Sequence, residues 1–364
     1  MSTLDIGIAG AGLLGRLLAW RLARAGHRVH VHDPAVDAQP RFDGRHASSF
    51  SAAGMLSPLA ELENAGPGLA LLGMSSVGLW REIVEALPAS PFFAQRGSLL
   101  LAHRNDLATA QRVLARLEQA PPDMPRAQPI AVHELAECEP SLHGAAHAWL
   151  LPGEAQIDPP QTLLALHDHA SELGVQWHWQ QRVDQVVPGA LRTGTDTHEF
   201  DLVFDVRGVG AKQPASDRDA GPIGQVRGVR GETVWLHAPD HGLTRPARLL
   251  HPRHRVYLVP RPGDIVVIGA TQIESEDRSP VSLRSAVELM SAAHSVMPGL
   301  AEARIVRMDA NLRPALPDNE PHIDAAPGRV RINGLFRHGW LVAPALVEQA
   351  LAQCGLAGAH PVQG

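Results

Sequence analysis

The sequence has 364 residues, a formal net charge of −6, and contents of 45% hydrophobic and 19% charged residues. A single hydrophobic core stops growing at about 250–300 residues, so we expect two domains, and the negative net charge argues against a nucleic-acid surface. The only two cysteines, Cys138 and Cys354, belong to no CxxC pair, so neither a metal site nor a dithiol redox motif is supported.

The chain opens with the pattern strand, glycine-rich turn, helix and strand. Residues 4–9 and 28–33 are short apolar runs that predict two buried strands. Between them, residues 14–25 repeat apolar side chains at close to 3.6 residues, which predicts a helix, and Gly26 stands where glycine commonly ends one. We interpret these residues as a βαβ unit of the kind that binds nucleotides.

The remaining residues predict a longer series of elements. A loop of small residues spans 47–55, and a proline-rich surface connection spans 121–129. The strands at 256–260 and 265–270 are expected to pair through the turn between them. The predicted helices are 73–87, 158–174, 282–297 and 345–354, and the predicted strands are 183–187, 202–206, 232–237, 256–260, 265–270 and 330–332.

The order of these elements predicts the domain organisation. A nucleotide-binding opening comes first, a β-rich region lies in the middle of the chain, and a strand and a helix close it. This order indicates a fold of the α/β class. A dinucleotide-binding domain is assembled from separated segments, and a substrate domain is inserted between them.

The turn after the first strand carries glycines at Gly10, Gly12 and Gly15. The first permits a tight turn, the second lets the backbone approach a pyrophosphate, and the third lets the helix pack on the strand. The helix N-terminus offers N–H donors to the phosphates, and Asp33 ends the second strand, where an acidic side chain binds ribose hydroxyls. The motif predicts dinucleotide binding, and at this point both NAD and FAD remain open.

Four later segments carry side chains suited to a ligand site. Small residues from 48 to 56 let a backbone lie close to a flat ring, although such a loop has other uses. Tyr257 is the only tyrosine, and a tyrosine on a strand is more often part of the core. Arg313 is flanked by apolar residues and proline, and its planar fork suits a carboxylate or a structural salt bridge equally. The segment 334–344 precedes the last predicted helix, whose N-terminus would face the electron-rich end of a flavin.

Together these segments resemble the D-amino-acid-oxidase-like family of FAD-dependent oxidoreductases, and within it the bacterial glycine oxidases of thiamine biosynthesis. The resemblance covers nearly the whole chain and rests on an ordered set of motifs. It implies FAD as the cofactor, a Rossmann-like FAD-binding domain at 1–75, 146–220 and 318–364, and an α+β substrate domain with an antiparallel sheet at 76–145 and 221–317. The motifs are Ala-Ala-Gly-Met-Leu, Tyr-Leu-Val-Pro-Arg followed by Gly-Ala-Thr, Leu-Arg-Pro-x-x-x-Asp, which is expected to place Arg313 in a turn, and Phe-Arg-x-Gly-x-x-x-Ala-Pro.

The resemblance implies a role for residues at matching positions. Arg313 resembles the arginine that binds the substrate carboxylate, and Tyr257 resembles the strand tyrosine that helps to hold it. Met55 and Arg337 resemble pocket residues beside the flavin, so these four form the predicted catalytic set. The residues expected to hold FAD are Gly10, Gly12, Leu13, Leu14, Gly15, Asp33, Ser51, Ala52, Ala53, Gly54, Met55, Val183, Gly208, His338, Gly339, Trp340 and Leu341.

The implied reaction is oxidation of the C–N bond of a small amino acid or amine. A hydride would pass from Cα to flavin N5 to give an imine, and oxygen would reoxidise the flavin to yield hydrogen peroxide. The glycine imine would then supply thiamine thiazole synthesis. No general base is assigned, because an amine that arrives neutral needs none. FAD is expected to be noncovalent, because Cys354 lies inside the last predicted helix, whereas sarcosine-oxidase-like enzymes tether flavin to a cysteine near the C-terminus.

Three departures from the family pattern stand near the expected site. The usual Ala-Ala-Gly reads Asp-Val-Arg-Gly at 205–208, which places Arg207 close to the dinucleotide. Arg255 stands where histidine is expected, and Gln272 stands where an apolar pocket residue is common. The substrate pocket is therefore expected to be more polar than in glycine oxidase.

Other functions stay open from the sequence. Within the same chemistry, the chain could be a D-amino acid dehydrogenase that passes electrons to a membrane acceptor, or a sarcosine-oxidase-like amine oxidase. Arg207 favours a different class, a flavin-binding module without catalysis. An NAD-dependent dehydrogenase would not need the flavin-facing segment 334–344.

The expected partners are a small amino acid or amine and oxygen, without nucleic acid.

No apolar run reaches the roughly 18 residues that span a bilayer. No signal peptide precedes the first strand, so the expected compartment is a reducing cytoplasm. The sequence leaves the oligomeric state open, including a homo-oligomer.

Overall fold

The computed structural model describes residues 2–213, 221–250 and 255–356. Within these ranges, no helix combines the length and the apolar character that crossing a bilayer requires. The helices are α1 (Leu13–Arg24), α2 (Pro58–Glu61), α3 (Pro67–Ala86), α4 (Leu107–Leu117), α5 (Val132–Cys138), α6 (Pro159–Glu172), α7 (Gly221–Gly224), α8 (Leu283–Val296) and α9 (Gly339–Gln353). Short 3-10 turns lie at Arg104–Asp106, Gly208–Ala211 and Pro298–Glu302.

The strands in chain order are β1 (Asp5–Ala9), β2 (Arg28–Asp33), β3 (Met55–Leu56), β4 (Phe93–Ala94), β5 (Ser98–Ala102), β6 (Gln128–Ile130), β7 (His147–Leu151), β8 (Ala155–Ile157), β9 (Gln176–Trp179), β10 (Gln185–Val187), β11 (Ala190–Thr193), β12 (Asp196–Glu199), β13 (Leu202–Asp205), β14 (Arg227–His237), β15 (Ala247–Leu250), β16 (Arg255–Arg261), β17 (Ile265–Gly269), β18 (Arg304–Ala315), β19 (His322–Ala326) and β20 (Arg329–Asn333).

A six-stranded sheet with the order β19-β20-β13-β1-β2-β9 forms one half of the molecule. Its strands run parallel except β19, which pairs antiparallel with β20 at one edge. They come from the start, the middle and the end of the chain. The predicted α/β class, with a Rossmann-like sheet assembled from separated segments, is confirmed.

Alternation along β1 separates the two layers that cover this parallel sheet. Ile6 and Ile8 are buried in an apolar cluster with residues of α1, α6 and α9. Ala9 faces the other side and packs with Val186 and Leu191 of the three-stranded antiparallel sheet β10-β11-β12. The parallel sheet therefore has helices on one face and a small sheet on the other.

An eight-stranded sheet with the order β18-β14-β17-β16-β15-β5-β7-β6 forms the other half. Neighbouring strands are antiparallel except β15 and β5, which are parallel. The predicted pairing of β16 with β17 is confirmed. Leu289 and Ala293 of α8 pack on Leu258 and Ile268 and cover one face. The opposite face is turned toward the parallel sheet.

The predicted domain boundaries stay a prediction. The parallel sheet takes its strands from 5–33, 176–205 and 322–333, whereas the eight-stranded sheet takes its strands from 98–151 and 227–315. β7 pairs with β5 in the eight-stranded sheet, although the prediction assigns its residues to the FAD-binding domain.

The predicted start of the last helix is wrong by six residues, since α9 begins at Gly339 rather than at 345. The helix contains Pro344. Proline usually interrupts a helix because it lacks an N–H and leaves the carbonyl four residues earlier without a partner. Here that carbonyl, on Trp340, accepts a hydrogen bond from Trp80 Nε1 at 2.6 Å. A side chain from α3 thus allows α9 to continue through the proline.

Four further predictions of local structure are wrong. Arg313 lies within the long strand β18, not in a turn. α3 begins at Pro67 rather than at 73, and proline at the first helical position is a start signal that the periodicity does not include. Val183 precedes β10 instead of opening it. Pro129 lies in β6, at the edge of its sheet, where a missing N–H is tolerated.

Candidate active site

A cavity of about 1290 Å³ lies between the two halves of the molecule. Its nucleotide end is lined by Gly10, Asp33 and Gly208, which follow or end the strands β1, β2 and β13. Its substrate wall is the cavity-facing side of β18, β14, β17, β16 and β15, and includes Arg313 and Tyr257. Pockets for one small ligand measure about 300–1,000 Å³, so this cavity has room for a dinucleotide and a small substrate together.

Each glycine of the first turn meets its predicted requirement. Gly10 has a φ of +107°, a conformation that L side chains rarely adopt. A Cβ on Gly15 would overlap the Gly10 carbonyl oxygen, so glycine is needed for α1 to begin this close to β1. Gly12 is the N-cap of α1 and offers no side chain to the first N–H groups of the helix. These N–H groups are left for a ligand phosphate.

Asp33 lies at the end of β2, as predicted. Its Oδ2 accepts the Ala11 N–H at 2.7 Å, and its Oδ1 accepts the Ala35 N–H at 2.8 Å. Each carboxylate oxygen keeps a second lone pair, and the side chain lines the cavity. Asp33 can therefore hold two turns of the backbone and still accept hydrogen bonds from ribose hydroxyls.

The unexpected Arg207 forms a local ion pair. Its Nε and Nη2 donate to the two carboxylate oxygens of Asp205 at 2.8 and 2.7 Å. Its Nη1 donates to the Val183 carbonyl oxygen at 2.8 Å. The two charged residues of the Asp-Val-Arg-Gly segment therefore neutralise each other beside the cavity. The charge of Arg207, which favoured a flavin-binding module without catalysis, is thus paired within the protein.

The small-residue loop at 47–55 is held from several sides. Gly54 has a φ of +64°, and a Cβ there would overlap a backbone oxygen of the neighbouring strand β8. The buried guanidinium of Arg261 donates to the Ala53 carbonyl oxygen. Asn311 Nδ2 of β18 donates to Ser51 Oγ at 3.2 Å. The loop is thus fixed against the cavity, as its predicted approach to a flat ring requires.

Strand order brings Arg313 and Tyr257 together on the substrate wall. Arg313 lies on β18 and Tyr257 on β16, with β14 and β17 between them. On these middle strands, a Cβ on Gly231 would overlap the Arg313 guanidinium, and one on Gly269 would lie 2.5 Å from the Tyr257 hydroxyl. Gly269 is opposite Thr233, so it is a diagonal neighbour of Gly231 at about 7–8 Å. The two glycines let both side chains lie flat over the sheet with their polar ends close together.

Burial dominates the ionisation of Arg313 and Tyr257. It lowers the pKa of Arg313 and raises the pKa of Tyr257, and each group opposes the shift of the other. Arg313 Nη1 donates to the Thr271 carbonyl oxygen at 3.0 Å, the only hydrogen bond that its side chain makes to another described residue. A partly buried guanidinium with unused donors and a neighbouring phenol can bind a carboxylate at more than one point.

A buried carboxylate, Glu61, lies beside two basic side chains at the cavity. Arg337 Nε is 3.4 Å and His338 Nδ1 is 3.0 Å from Glu61 Oε2. Burial by itself would raise the pKa of Glu61, but Arg337 and His338 bring it well below its ordinary value. Glu61 therefore stays ionised and holds Arg337 at the cavity.

The structure brings most of the predicted site residues to one cavity. Three predicted cofactor residues, Gly15, His338 and Leu341, lie behind its lining. The roles of all these residues stay predictions. Those that line the cavity are Gly10, Gly12, Leu13, Leu14, Asp33, Ser51, Ala52, Ala53, Gly54, Met55, Val183, Gly208, Tyr257, Arg313, Arg337, Gly339 and Trp340.

The predicted set omits several residues of the substrate wall. Gly231 carries no signal in the sequence, and Gly269 belongs to the Gly-Ala-Thr motif but is assigned no role, because the importance of both depends on which side chains cross them. Glu61 ends the short helix α2, whose start is marked by Pro58 at its first position. Arg248 is a charged residue in the otherwise mostly apolar strand β15, and this pattern is the signal that could have found it.

The nucleotide end suits FAD. A Cβ on Gly12 would lie 3.7 Å from the Ala47 side chain, so glycine keeps open the groove between α1 and the small-residue loop. The N–H groups of Leu13 and Leu14 would hold the pyrophosphate, and Asp33 would hold a ribose. The donors, the acceptor and the groove occur in the order that a dinucleotide requires.

Comparison with known proteins identifies the family. An oxidoreductase of Rhizobium etli assigned to thiamine biosynthesis is 34% identical over 343 residues, which cover 94% of each chain. Glycine oxidase of Geobacillus kaustophilus is 25% identical over 366 residues, which cover 93% of this chain and 90% of the relative. The crystal structure of glycine oxidase from Geobacillus kaustophilus superposes with a TM-score of 0.80 over 100% of both chains, at 23% identity. The FAD dependent oxidoreductase family matches residues 5–352, and the chain belongs to this family.

Proposed function

We propose that the chain oxidises the Cα–N bond of a small amino acid such as glycine to an imine. The observation that carries this proposal is the pair Arg313 and Tyr257, whose polar ends lie over two neighbouring glycines at the substrate wall. The names of two relatives support it, since one is assigned to thiamine biosynthesis and the other is a glycine oxidase. We further propose that oxygen accepts the electrons and that the imine supplies thiamine thiazole synthesis.

Arg313 binds the substrate carboxylate in this proposal. Desolvating an anion without a partner costs several kcal/mol, so a cation has to meet it in the cavity. The guanidinium offers parallel donors that fix orientation as well as position. Tyr257 adds a hydroxyl donor, and because burial raises its pKa it stays protonated.

Met55 and Arg337 limit the size of the substrate. Both line the cavity, and Arg337 is held in place by Glu61 at 3.4 Å. One additional methylene in a fitted pocket changes transition-state binding by about 1–3 kcal/mol. We therefore expect turnover to fall steeply as an apolar side chain on Cα grows.

FAD supplies the two-electron acceptor for this oxidation. The N–H groups at the start of α1 bind its pyrophosphate, and Asp33 binds its ribose. Neither Cys138 nor Cys354 lines the cavity, so FAD is held without a thioether bond.

Arg313 variants test the proposal. Purified protein is expected to be yellow, to bleach anaerobically with glycine and to form hydrogen peroxide in air. Arg313→Ala is expected to keep its flavin and its fold but to lose about 30-fold to several thousand-fold in kcat/KM, because removing one partner of a buried charged pair costs about 2–5 kcal/mol. Arg313→Lys should recover little, since a point charge cannot replace the fork. Flavin content, melting temperature and kinetics with glycine, sarcosine and small D-amino acids are measured on the same preparations.

Arg304→Ala is the matched control, because Arg304 lies on the same strand with a 73% exposed side chain. It is expected to keep wild-type kinetics. Near-normal turnover by Arg313→Ala would contradict the proposed role, and unfolding of that variant would indicate a structural salt bridge instead. Oxidation of amino acids with an artificial acceptor but without peroxide formation would identify a dehydrogenase.

A further inference from the structure

The substrate wall carries one more cation than the proposed function uses. Arg313 binds one carboxylate and Arg337 is paired with Glu61, but Arg248 has no assigned partner. We infer that the substrate carries a second carboxylate, which Arg248 binds on the far side of Tyr257 from Arg313. This inference rests on the proposed function, which supplies the first carboxylate site.

Strand pairing determines the position of Arg248. It lies on β15 directly opposite Tyr257 of β16, so both side chains point to the cavity face of the sheet. Burial raises the pKa of Tyr257, and the charges of Arg313 and Arg248 oppose that effect. In the sheet, β16 lies between β15 on one side and β17, β14 and β18 on the other. The guanidiniums of Arg248 and Arg313 therefore lie on opposite sides of the Tyr257 phenol.

Across the described ranges, the side chain of Arg248 forms no hydrogen bond or ion pair, and its Nε is buried. Two carboxylates lie near enough to act on it, but both have other partners. Glu61 pairs with Arg337. Glu154 accepts hydrogen bonds from a backbone N–H of α2 and from the Ser98 hydroxyl, and burial raises its pKa. The guanidinium of Arg248 is therefore a donor group without an acceptor at the wall of a ligand cavity.

A second substrate carboxylate would give this donor group its partner. An amino acid with one carboxylate satisfies Arg313 alone and leaves the buried Nε of Arg248 without a hydrogen-bond acceptor. A second carboxylate, attached through Cα or through the amine nitrogen, would extend past Tyr257 to Arg248. The substrate class that fits is an acidic amino acid or an N-carboxymethyl amino acid.

Kinetics with matched substrates test the inference. The wild-type holoenzyme is assayed with glycine, N-carboxymethylglycine and both enantiomers of aspartate. At least one dicarboxylate is expected to exceed glycine in kcat/KM by about tenfold or more, as a charge-assisted hydrogen bond requires. Arg248→Met is expected to abolish that preference, and Arg248→Lys to recover part of it. The substrate that responds shows whether the second carboxylate is carried on nitrogen or on carbon.

A binding measurement tests the same site without turnover. Thiodiacetate and (methylthio)acetate carry two carboxylates and one carboxylate, and neither has an amine to oxidise. Calorimetry with the holoenzyme is expected to show about tenfold tighter binding of thiodiacetate, and Arg248→Met should remove that difference. Arg284→Met, which removes an exposed arginine at the mouth of the cavity, should keep it.

Equal affinity of the two acids for the wild type would overturn the inference. So would an equal loss of affinity for both acids in Arg248→Met, because that result indicates a structural or general electrostatic role. Flavin content and melting temperature are measured on each variant, and if Arg248→Met does not fold, Arg248→Lys and the wild type decide the question. A wild-type enzyme that oxidises no amino acid would contradict the proposed function, whereas calorimetry would still report on Arg248.

Discussion

Two glycines determine how the charged side chains of the substrate wall are arranged. Gly231 does not have the positive φ that would by itself require glycine, and glycine within a strand usually weakens a sheet. Its value lies in the missing Cβ, which makes room for the guanidinium of Arg313. Gly269 makes room for the hydroxyl of Tyr257 in the same way. The position of each polar group thus depends on a residue of the strand next to its own.

Gly231→Ala should displace the Arg313 guanidinium without removing it. A misplacement of about 1 Å in a positioning group can cost about 100-fold in rate, so we expect a loss of about 10–100-fold in kcat/KM. Flavin content should not change, because Gly231 lies at the substrate wall. Steady-state kinetics and flavin absorbance check both expectations.

Gly78→Ala is the matched control for this substitution. Gly78 lies in α3, and a Cβ there would meet nothing within 4 Å. Alanine in a helix interior is about 0.5–1 kcal/mol more stable than glycine, so this variant should keep its activity and gain slightly in melting temperature. Wild-type kcat/KM in Gly231→Ala would show that Arg313 does not depend on that space.

Helix α9 runs through Pro344 because α3 supplies substitute hydrogen bonds. Trp80 Nε1 donates to the Trp340 carbonyl oxygen at 2.6 Å, and the Ala345 N–H donates to Ser76 Oγ at 3.1 Å. The rings of Trp80 and Trp340 also stack, with 5.2 Å between their centroids. The Trp340 indole in turn donates to the small-residue loop at 3.0 Å, so the packing of α3 on α9 helps to position that loop.

Trp80→Phe should leave the Trp340 carbonyl without a partner. We expect a loss of about 1–3 kcal/mol in the free energy of unfolding, measured by urea or thermal unfolding. Pro344→Ala in the same background restores an N–H at the right position and should recover part of the loss. Trp177→Phe, which removes the exposed hydrogen bond to Ser171, should cost at most about 0.5 kcal/mol. Strict additivity of the Trp80 and Pro344 substitutions would rule out the shared carbonyl as the link.

The end of β13 carries a second arrangement that links two elements. Arg207 joins Asp205 to the Val183 carbonyl oxygen, and so ties β13 to the segment that precedes β10. The side chains of Arg207 and Asp205 are 10% and 5% exposed. Each of these two buried charges therefore depends on the other for its neutralisation.

Arg207→Ala should therefore destabilise the protein by about 3–5 kcal/mol, because it leaves a buried carboxylate unpaired. The double variant with Asp205→Ala removes both charges and should be more stable than Arg207→Ala alone. Unfolding free energies of the wild type, both single variants and the double variant give a coupling energy that we expect at about 1–3 kcal/mol. A coupling energy below about 0.5 kcal/mol would mean that the pair does not act as a unit.

The molecule as a whole should respond to pH through a cluster of histidines at the parallel sheet. His32, with 1% exposure, stacks on His178 with 4.4 Å between ring centroids, and His30 and His198 lie beside them. Parallel pairing of β2 with β9 places His32 opposite His178. Burial, and then the proximity of His178, lowers the pKa of His32 from 6.5 to about 4.

Between these two pKa values the unfolded chain binds more protons at His32 than the folded protein does. Stability is therefore complete above pH 6.5, falls as the pH drops toward about 4, and is not lost further below that value through this group. We expect a loss of about 2 kcal/mol between pH 7 and pH 5, measured by urea unfolding. His32→Phe keeps the stacking but cannot be protonated, so its stability should vary less with pH. An identical pH dependence in this variant would assign the effect to other groups.

The sequence was most informative where function depends on neighbouring residues. Gly10, Gly12, Gly15 and Asp33 form one βαβ unit, so their spacing alone predicts the dinucleotide end, and the structure places three of the four in the cavity lining. Element ends were less predictable, as the start of α9 shows. Pro344 stands at the sixth position of α9, where a proline predicts that the helix is interrupted. The sequence does not show that Trp80 supplies a hydrogen bond to the carbonyl that this proline leaves free.

By itself the sequence determined the family, the α/β class and the nucleotide end, because each depends on short motifs whose geometry is set by adjacent backbone atoms. Only the tertiary structure decided the substrate wall. Arg313, Tyr257 and Arg248 come from β18, β16 and β15, and Gly231 and Gly269 lie between the first two on β14 and β17. These residues come close together because of strand order and register, which arise from pairing between distant segments of the chain. The spacing of residues along the chain does not show which side chain will lie over which glycine.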